Sequence, residues 1–368
     1  MNVSFLRPLY ERPGPWASVY LDGTRNNEDP AGTVELRWRV AREALRDALC
    51  EPETIEALER ALLAHTEEGG PYGLAAFAAG GEVAMLRVLP APPRRAIAAF
   101  GPLPHVMPLL AQMGESIPYV RVLADRTGGR IEAVDAARLV RGEAVTGAKQ
   151  WPLHRFKPGG WSQSRYQRAA HVTWERNAGE VAAAVAQAAE HCGAEVIVVA
   201  GDPQARPLLV AHLPEHWSER VVETNSGTGA AALEDVTVQA IADRATGKAR
   251  AVVDHYRSRR GNDAAGDGLP AVVTALQRGQ VDTLLLVDDP SSTTQLWIGP
   301  EPEQLSFDRA ELLAMGVRDT RRVRADAALV RAVVCTEADL LFAAPDELPV
   351  EGGVGALLRY ADAGTRRR

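Results

Sequence analysis

The chain has 368 residues, 46% of them hydrophobic and 24% charged, and a formal net charge of −7. This is the make-up of a globular protein long enough for two or three cores, and it argues against a protein that coats nucleic acid over its whole surface. No apolar run reaches the roughly 18 residues a bilayer span needs, and Met1 to Pro8 lack the pattern of a charged stretch followed by an apolar one, so a cytoplasmic protein without a membrane partner is expected.

Cys50, Cys192 and Cys335 are odd in number and widely spaced. They read as buried or free thiols in a reducing compartment, not as a disulfide framework or a zinc site. Lysine occurs only at 149, 157 and 248, a bias of GC-rich genomes more than of function. Charge is distributed unevenly. Lys149 to Asn177 carries a net +5, Arg244 to Arg260 another +5, and Glu51 to Glu68 a net −5. Any one of these also fits a solvated helix face.

Trp16 to Leu21 reads as a first strand ending at the turn signal Asp22-Gly23. A helix follows over Arg37 to Leu49, with Leu36, Val40, Ala44, Leu45 and Leu49 at helical spacing. A second helix spans Pro52 to His65, and strands lie near 73–78 and 82–88. Prolines at 102, 104 and 108 mark the approach to a boundary near Met113. Residues 119–124 and 130–134 form a hairpin. A loop over 142–163 leads into a long helix from about Ser164 to Cys192. Its apolar positions Tyr166, Ala170, Trp174, Val181, Val185, Ala188 and Cys192 share one side, and Arg165, Arg168 and Arg176 the other. Glu195 to Ala200 has the continuous apolar character of a central strand. Gly201-Asp202-Pro203 turns into another helix, and Trp217 to Glu223 reads as a short strand. Helices are expected over 231–245 and 248–258, a polar loop over 261–268, a short helix over 270–276 and a buried strand over 281–287. The alternation makes this an α/β chain with mixed sheets flanked by helices. Three segments are expected as domains: 1–113, 114–228 and 229–368.

The most informative stretch is Lys157-Pro-Gly-Gly-Trp-Ser-Gln163, continued by Ser-Arg-Tyr-Gln-Arg168. Two glycines and a nearby glutamine tip an arginine-bearing helix. This resembles the Gly-Gly-Gln loop of archaeal and eukaryotic class-1 peptide chain release factors, with Trp161 and Ser162 set between the glycine pair and Gln163. The resemblance extends over roughly 115–368. A hairpin, a glycine tip, an arginine-rich helix and a strand ending in Ala200-Gly201 are similar to the middle domain of those factors and of Pelota. Ala275-Leu-Gln-Arg-Gly-Gln-Val-Asp-Thr-Leu-Leu-Leu-Val287 and Glu351-Gly-Gly-Val-Gly-Ala-Leu-Leu-Arg-Tyr360 are similar to their C-terminal domain. The chain looks most like the bacterial branch of this superfamily, which includes the Balon-like ribosome hibernation factors of actinobacteria; Vms-type peptidyl-tRNA hydrolases are more distant cousins. A three-domain release-factor/Pelota-like architecture is therefore implied. The stop-codon-reading Asn-Ile-Lys-Ser motif has no counterpart in Thr24 to Trp38, so decoding is not expected.

What the resemblance implies for chemistry concerns peptidyl-tRNA ester hydrolysis, which requires a positioned water and a stabilised oxyanion. Gly159 and Gly160 would let the backbone approach RNA closely, and Gln163 would shape the water site. The plainer alternative is that Ser162 or Ser164 caps the helix and the glycines are a lead-in. Trp161 either stacks on an unpaired base, for about 1–3 kcal/mol, or packs on Tyr166 or Trp151. Arg155, Lys157, Arg165 and Arg168, with Ser162 beside them, would hold rRNA or tRNA phosphates. Elsewhere the signals are weak. His212 and His216 have Pro214 between them, Gly227-Thr-Gly-Ala lacks a phosphate-loop context, and Gly352-Gly-Val-Gly reads as close backbone packing. No metal or cofactor is expected.

Three functions are open at this level. The leading one is a monomeric factor that occupies the vacant A site of the 70S ribosome and silences the peptidyl transferase centre as a hibernation or stress factor. The resemblance also implies a translational GTPase such as elongation factor Tu as partner. The second is a peptidyl-tRNA hydrolase for stalled complexes. The third is a stress-related interaction protein that has lost ribosome binding.

Overall fold

Trp16 to Leu21 is apolar except for Ser18, and in the computed structural model it forms β1 (Trp16–Asp22), buried through Leu21. Outside the described residues lie 25–29, 66–70, 136–139, 147–161, 225–229, 261–264, 288, 290–291, 344–347, 349 and 361–368. β1 pairs antiparallel with β2 (Gly73–Ala79) on one side. With β3 (Glu82–Leu89) and β4 (Ile97–Gly101) this gives the sheet order β3-β2-β1-β4. Two helices, α1 (Pro30–Asp47) and α2 (Pro52–Ala64), cover one face through Trp38, Leu45, Leu58 and Leu62. α3 (Met107–Met113) follows.

The first helix corrects the sequence reading. It starts at Pro30, a favoured first-turn residue, and it buries Val34, Trp38, Ala41 and Leu45. Leu36, Val40 and Leu49 stay exposed. Both stripes have helical spacing. The one containing the large Trp38 ring removes more apolar area from water, and burial follows area.

The next elements form a sheet of order β7-β6-β5-β8-β9. They are β5 (Tyr119–Asp125), β6 (Gly128–Val134), β7 (Val140–Thr146), β8 (Val196–Gly201) and β9 (Val221–Glu223). The hairpin β5–β6 is as expected, but β7 occupies the start of the expected 142–163 loop. Its backbone pairs antiparallel along the whole of β6, a neighbouring-strand pairing that a polar, glycine-containing sequence conceals. α4 (Ser162–Cys192) returns the chain to β8, which runs parallel to β5. Val181, Val185 and Ala189 of α4 pack on Val120, Val122, Ile131 and Val199. The sheet's other face packs on Leu233 and Ala240. Coverage on both sides explains the unbroken apolar character of β8.

α5 (Ala205–His212) and α6 (Glu215–Ser218) precede β9. Trp217 therefore lies in a helical turn rather than in the expected strand. Pro214 caps that turn, and the Trp217 ring is buried beneath the Arg220 guanidinium at 4.9 Å. The two helices expected over 231–258 are one, α7 (Ala230–Arg260), continuous through Gly247.

Beyond it come β10 (Ala265–Asp267), α8 (Leu269–Gln277), β11 (Val281–Val287), β12 (Gln295–Ile298), β13 (Leu305–Ser306) and α9 (Arg309–Ala314). β14 (Arg321–Arg324), α10 (Ala325–Cys335), β15 (Asp339–Ala343) and β16 (Val354–Leu358) complete the chain. The sheets here have orders β10-β16-β11-β15 and β13-β12-β14. Gly355 is dictated by packing, since a Cβ there would meet Val350 Cγ1 at 2.7 Å and the Tyr256 hydroxyl at 3.0 Å.

Residues Met1–Glu115 and Ala251–Arg368 form one compact unit and Ser116–Arg250 another. In the first, Leu6, Leu9, Trp16 and Phe77 share a core with Leu284, Leu286, Leu329 and Val333. The segments 1–113, 114–228 and 229–368 stand as a proposal beside this grouping. The architecture is mixed α/β, with several sheets flanked by helices.

Candidate nucleic-acid interface

Gly159 and Gly160 precede α4 in the sequence, and the anchoring of this helix lies in its middle turns. Ser162, Gln163, Arg165 and Arg168 occupy its first two turns. Arg155, Lys157, Gly159, Gly160 and Trp161 lie outside the described residues.

The root is built around Arg126 in the β5–β6 turn. Its guanidinium stacks on Trp174 of α4, 4.7 Å from the ring centroid. Its Nε donates to Asp202 Oδ2 at 2.9 Å. Its carbonyl accepts from the Asn177 side-chain amide at 3.0 Å, and Asn177 is buried. One turn residue thus fastens the helix through a stacked ring, a side-chain amide and an ion pair. Asp202 also accepts from the Gln204 amide at 2.7 Å as α5 begins. Partial burial works against its ionisation. The Gln204 and Ala205 amides and Arg126 outweigh that and hold the carboxyl below its ordinary range.

Gly201, at φ +118°, is required beside this root, because a Cβ would lie 1.9 Å from the Ala124 carbonyl oxygen. That close approach lets Asp202 N donate to the same carbonyl at 2.9 Å. Arg176 is exposed, as its side of the helix implied, with Glu180 one turn on at 3.6 Å.

The second basic stretch behaves differently. Arg244 Nε and Lys248 Nζ both reach Glu195, at 3.0 and 2.8 Å. Arg257 pairs with Asp254, and Arg260 with Asp267. Burial opposes ionisation of Glu195, but Lys248 and Arg244 hold its carboxyl below the ordinary value. Arg244, Lys248, Arg257 and Arg260 are therefore each paired with a carboxylate. Sequence reasoning missed it because Glu195 lies far from Arg244 along the chain.

Other chemistry is sparse among the described residues. No cluster of three His, Cys, Asp or Glu has the geometry to hold a metal ion. His212 ends α5 with its Nδ1 at 2.7 Å from the Leu208 carbonyl, while His216 sits on α6. Burial pushes the Cys50 thiol up to about 11 and raises those of Cys192 and Cys335. Protonated thiols of this kind are poor nucleophiles. Among the described residues, no helix is long and apolar enough to cross a membrane.

Residues 118–262, which include the tip, α4 and its root, match the family model described as bacterial archaeo-eukaryotic release factor family 2. Over 373 aligned residues the chain is 28% identical to the uncharacterized protein Rv2629 of Mycobacterium tuberculosis (strain ATCC 25618 / H37Rv), covering 98% of this chain and 97% of that one. Two solved structures show a distant likeness. One is Saccharomyces cerevisiae Dom34, a translation termination-like factor involved in RNA quality control and interacting with Hbs1, at 11% identity, TM-score 0.40, and coverage of 80% and 82%. The other is archaeal Pelota, from a ribosome-bound Pelota and ABCE1 model, at 15% identity, TM-score 0.40, and coverage of 97% and 94%.

Proposed function

We propose that this protein is a ribosome-binding translation factor of the release-factor/Pelota type. It enters the vacant A site and directs the Gly159–Gln163 tip toward the peptidyl transferase centre, as a hibernation or stress factor. The observation that carries this reading is the family-model match over residues 118–262, which encloses both the tip and α4. The anchored base of α4 supports it. A helix fixed by Arg126 through Trp174, Asn177 and Asp202 has a rigid root from which to carry a basic, glycine-tipped end. Arg155, Lys157, Arg165 and Arg168 would meet rRNA or tRNA phosphates, and Trp161 would stack on a base.

The two residues between Gly160 and Gln163 favour occupancy over hydrolysis. Trp161 and Ser162 displace the glutamine from the glycine pair, and Gln163 falls within the first turn of α4. A peptidyl-tRNA hydrolase with Gln163 at the water site is the second reading, motivated by the family's chemistry. In either, the protein acts in the cytoplasm as a monomer, and a translational GTPase such as elongation factor Tu is the proposed delivery partner. Charge reversal at Lys157, Arg165 and Arg168 together tests the ridge. Co-sedimentation with 70S ribosomes should fall by about a hundredfold in affinity, with a shallower salt dependence. Unchanged binding would remove the tip helix from the interface.

A further inference from the structure

A groove of about 530 Å³ in the unit formed by Met1–Glu115 and Ala251–Arg368 is independent of the tip. One wall is β4, Ile97–Gly101, and another is β14 from Arg322 onward. Each strand is the end member of its sheet. Among the described residues, β4 pairs only with β1 in the order β3-β2-β1-β4, and β14 only with β12 in the order β13-β12-β14. Both outer edges therefore carry main-chain N–H and C=O groups that no neighbouring strand of their sheets satisfies. All five residues of β4 are only partly buried.

The lining holds three arginines, Arg95, Arg322 and Arg324, and no carboxylate. Arg324 is neutralised by a two-pronged contact with Asp326 at 2.6–3.1 Å. Arg95 and Arg322 are exposed. On the floor, Ser18 Oγ accepts from the His105 amide at 2.9 Å. The His105 Nδ1 is buried without a hydrogen-bond partner.

We infer that this groove is a docking site for an extended acidic peptide segment of a partner protein, which pairs as an added strand along β4 with its carboxylates on Arg95 and Arg322. The two parts of the site select for this occupant separately. An open strand edge offers alternating donors and acceptors at a strand repeat of about 3.3 Å per residue, which another peptide backbone matches. A single-signed basic lining selects carboxylates and disfavours a basic strand. A nucleic acid would satisfy the arginines but leave the strand edge unmatched. Exposed edges of this kind are otherwise a liability that proteins cover or charge.

The test uses the full-length protein and an acetylated, amidated octapeptide alternating glutamate and valine. Controls are the same peptide with lysine for glutamate, the same peptide with proline for valine, and octauridylate. Amide hydrogen exchange is followed across 97–101 and 321–324, and affinity by fluorescence anisotropy. The Glu-Val peptide should slow exchange in β4. The lysine and proline versions should not, and Arg95→Glu with Arg322→Glu should weaken binding by about tenfold. Absence of protection by the Glu-Val peptide at millimolar concentration overturns the proposal. So does equal protection by the lysine peptide, or octauridylate binding at the same residues with higher affinity. Because both substitutions are at exposed positions outside the tip helix, ribosome co-sedimentation of the double variant separates this outcome from the fate of the A-site reading.

Discussion

At the scale of single residues, Arg126 carries more than its position in a turn suggests. Arg126→Ala removes the stack on Trp174 and the pair with Asp202, each partly solvated. We expect a loss of about 1–2 kcal/mol in urea denaturation, with faster amide exchange concentrated in the turns of α4 around Trp174. Uniformly faster exchange along α4 would contradict the anchoring role. Gly201→Ala should be far worse, on the order of 3 kcal/mol or more, because the new Cβ meets a carbonyl and the backbone sits in the left-handed region. His105 gives a pH signature. Burial holds its imidazole pKa below the ordinary 6.5, reinforced by Arg324 and Arg95 and opposed by Asp326. The unfolded chain therefore takes the proton first as pH falls. Stability from this residue is complete above about 6.5 and declines below it. The melting temperature should drop less between pH 7 and pH 5.5 in His105→Gln than in the parent chain. Of these residues, Gly201 was legible as the end of an Ala-Gly strand. Arg126 was not, since a turn arginine gives no sign of the ring it will cover.

At the scale of elements, the sequence conveys type better than face. The alternating and continuous apolar runs of β1, β5, β8 and β11 were readable because burial on one or both sides writes itself into composition. The buried face of α1 was not, because Leu36–Val40 and Val34–Trp38 both repeat at helical spacing and only the tertiary partner chooses between them. β7 escaped because its stability comes from pairing along β6, not from its own residues. α7 shows the reverse case, in which a glycine that looks like a break is absorbed by a long helix. Gly247 has nothing within 4 Å of a hypothetical Cβ. Gly247→Ala should therefore stabilise the protein by about 0.5–1 kcal/mol, read as a higher urea midpoint with unchanged slope. A destabilised variant would mean that the helix needs its flexibility there.

At the scale of the whole molecule, the uneven charge distribution separates into two kinds. In the stretch over Arg244 to Arg260, Arg244 and Lys248 share Glu195, Arg257 pairs with Asp254 and Arg260 with Asp267. The stretch over Lys149 to Asn177 belongs to the tip and the helix that carries it. The first is engaged in ion pairs of the fold; under the function proposed above the second meets RNA, a distinction that net charge along the sequence could not make. The paired glycines stood out through their resemblance to the release-factor loop; by themselves, glycines before Ser162 and Ser164 also fit a lead-in to a capped helix. The measurement that bears most directly on this account is co-pelleting of the purified protein with vacant 70S ribosomes and with ribosomes carrying peptidyl-tRNA, with released peptide counted in the same samples. The account predicts salt-sensitive binding to vacant ribosomes without peptide release. Absence of binding to both particles would contradict it.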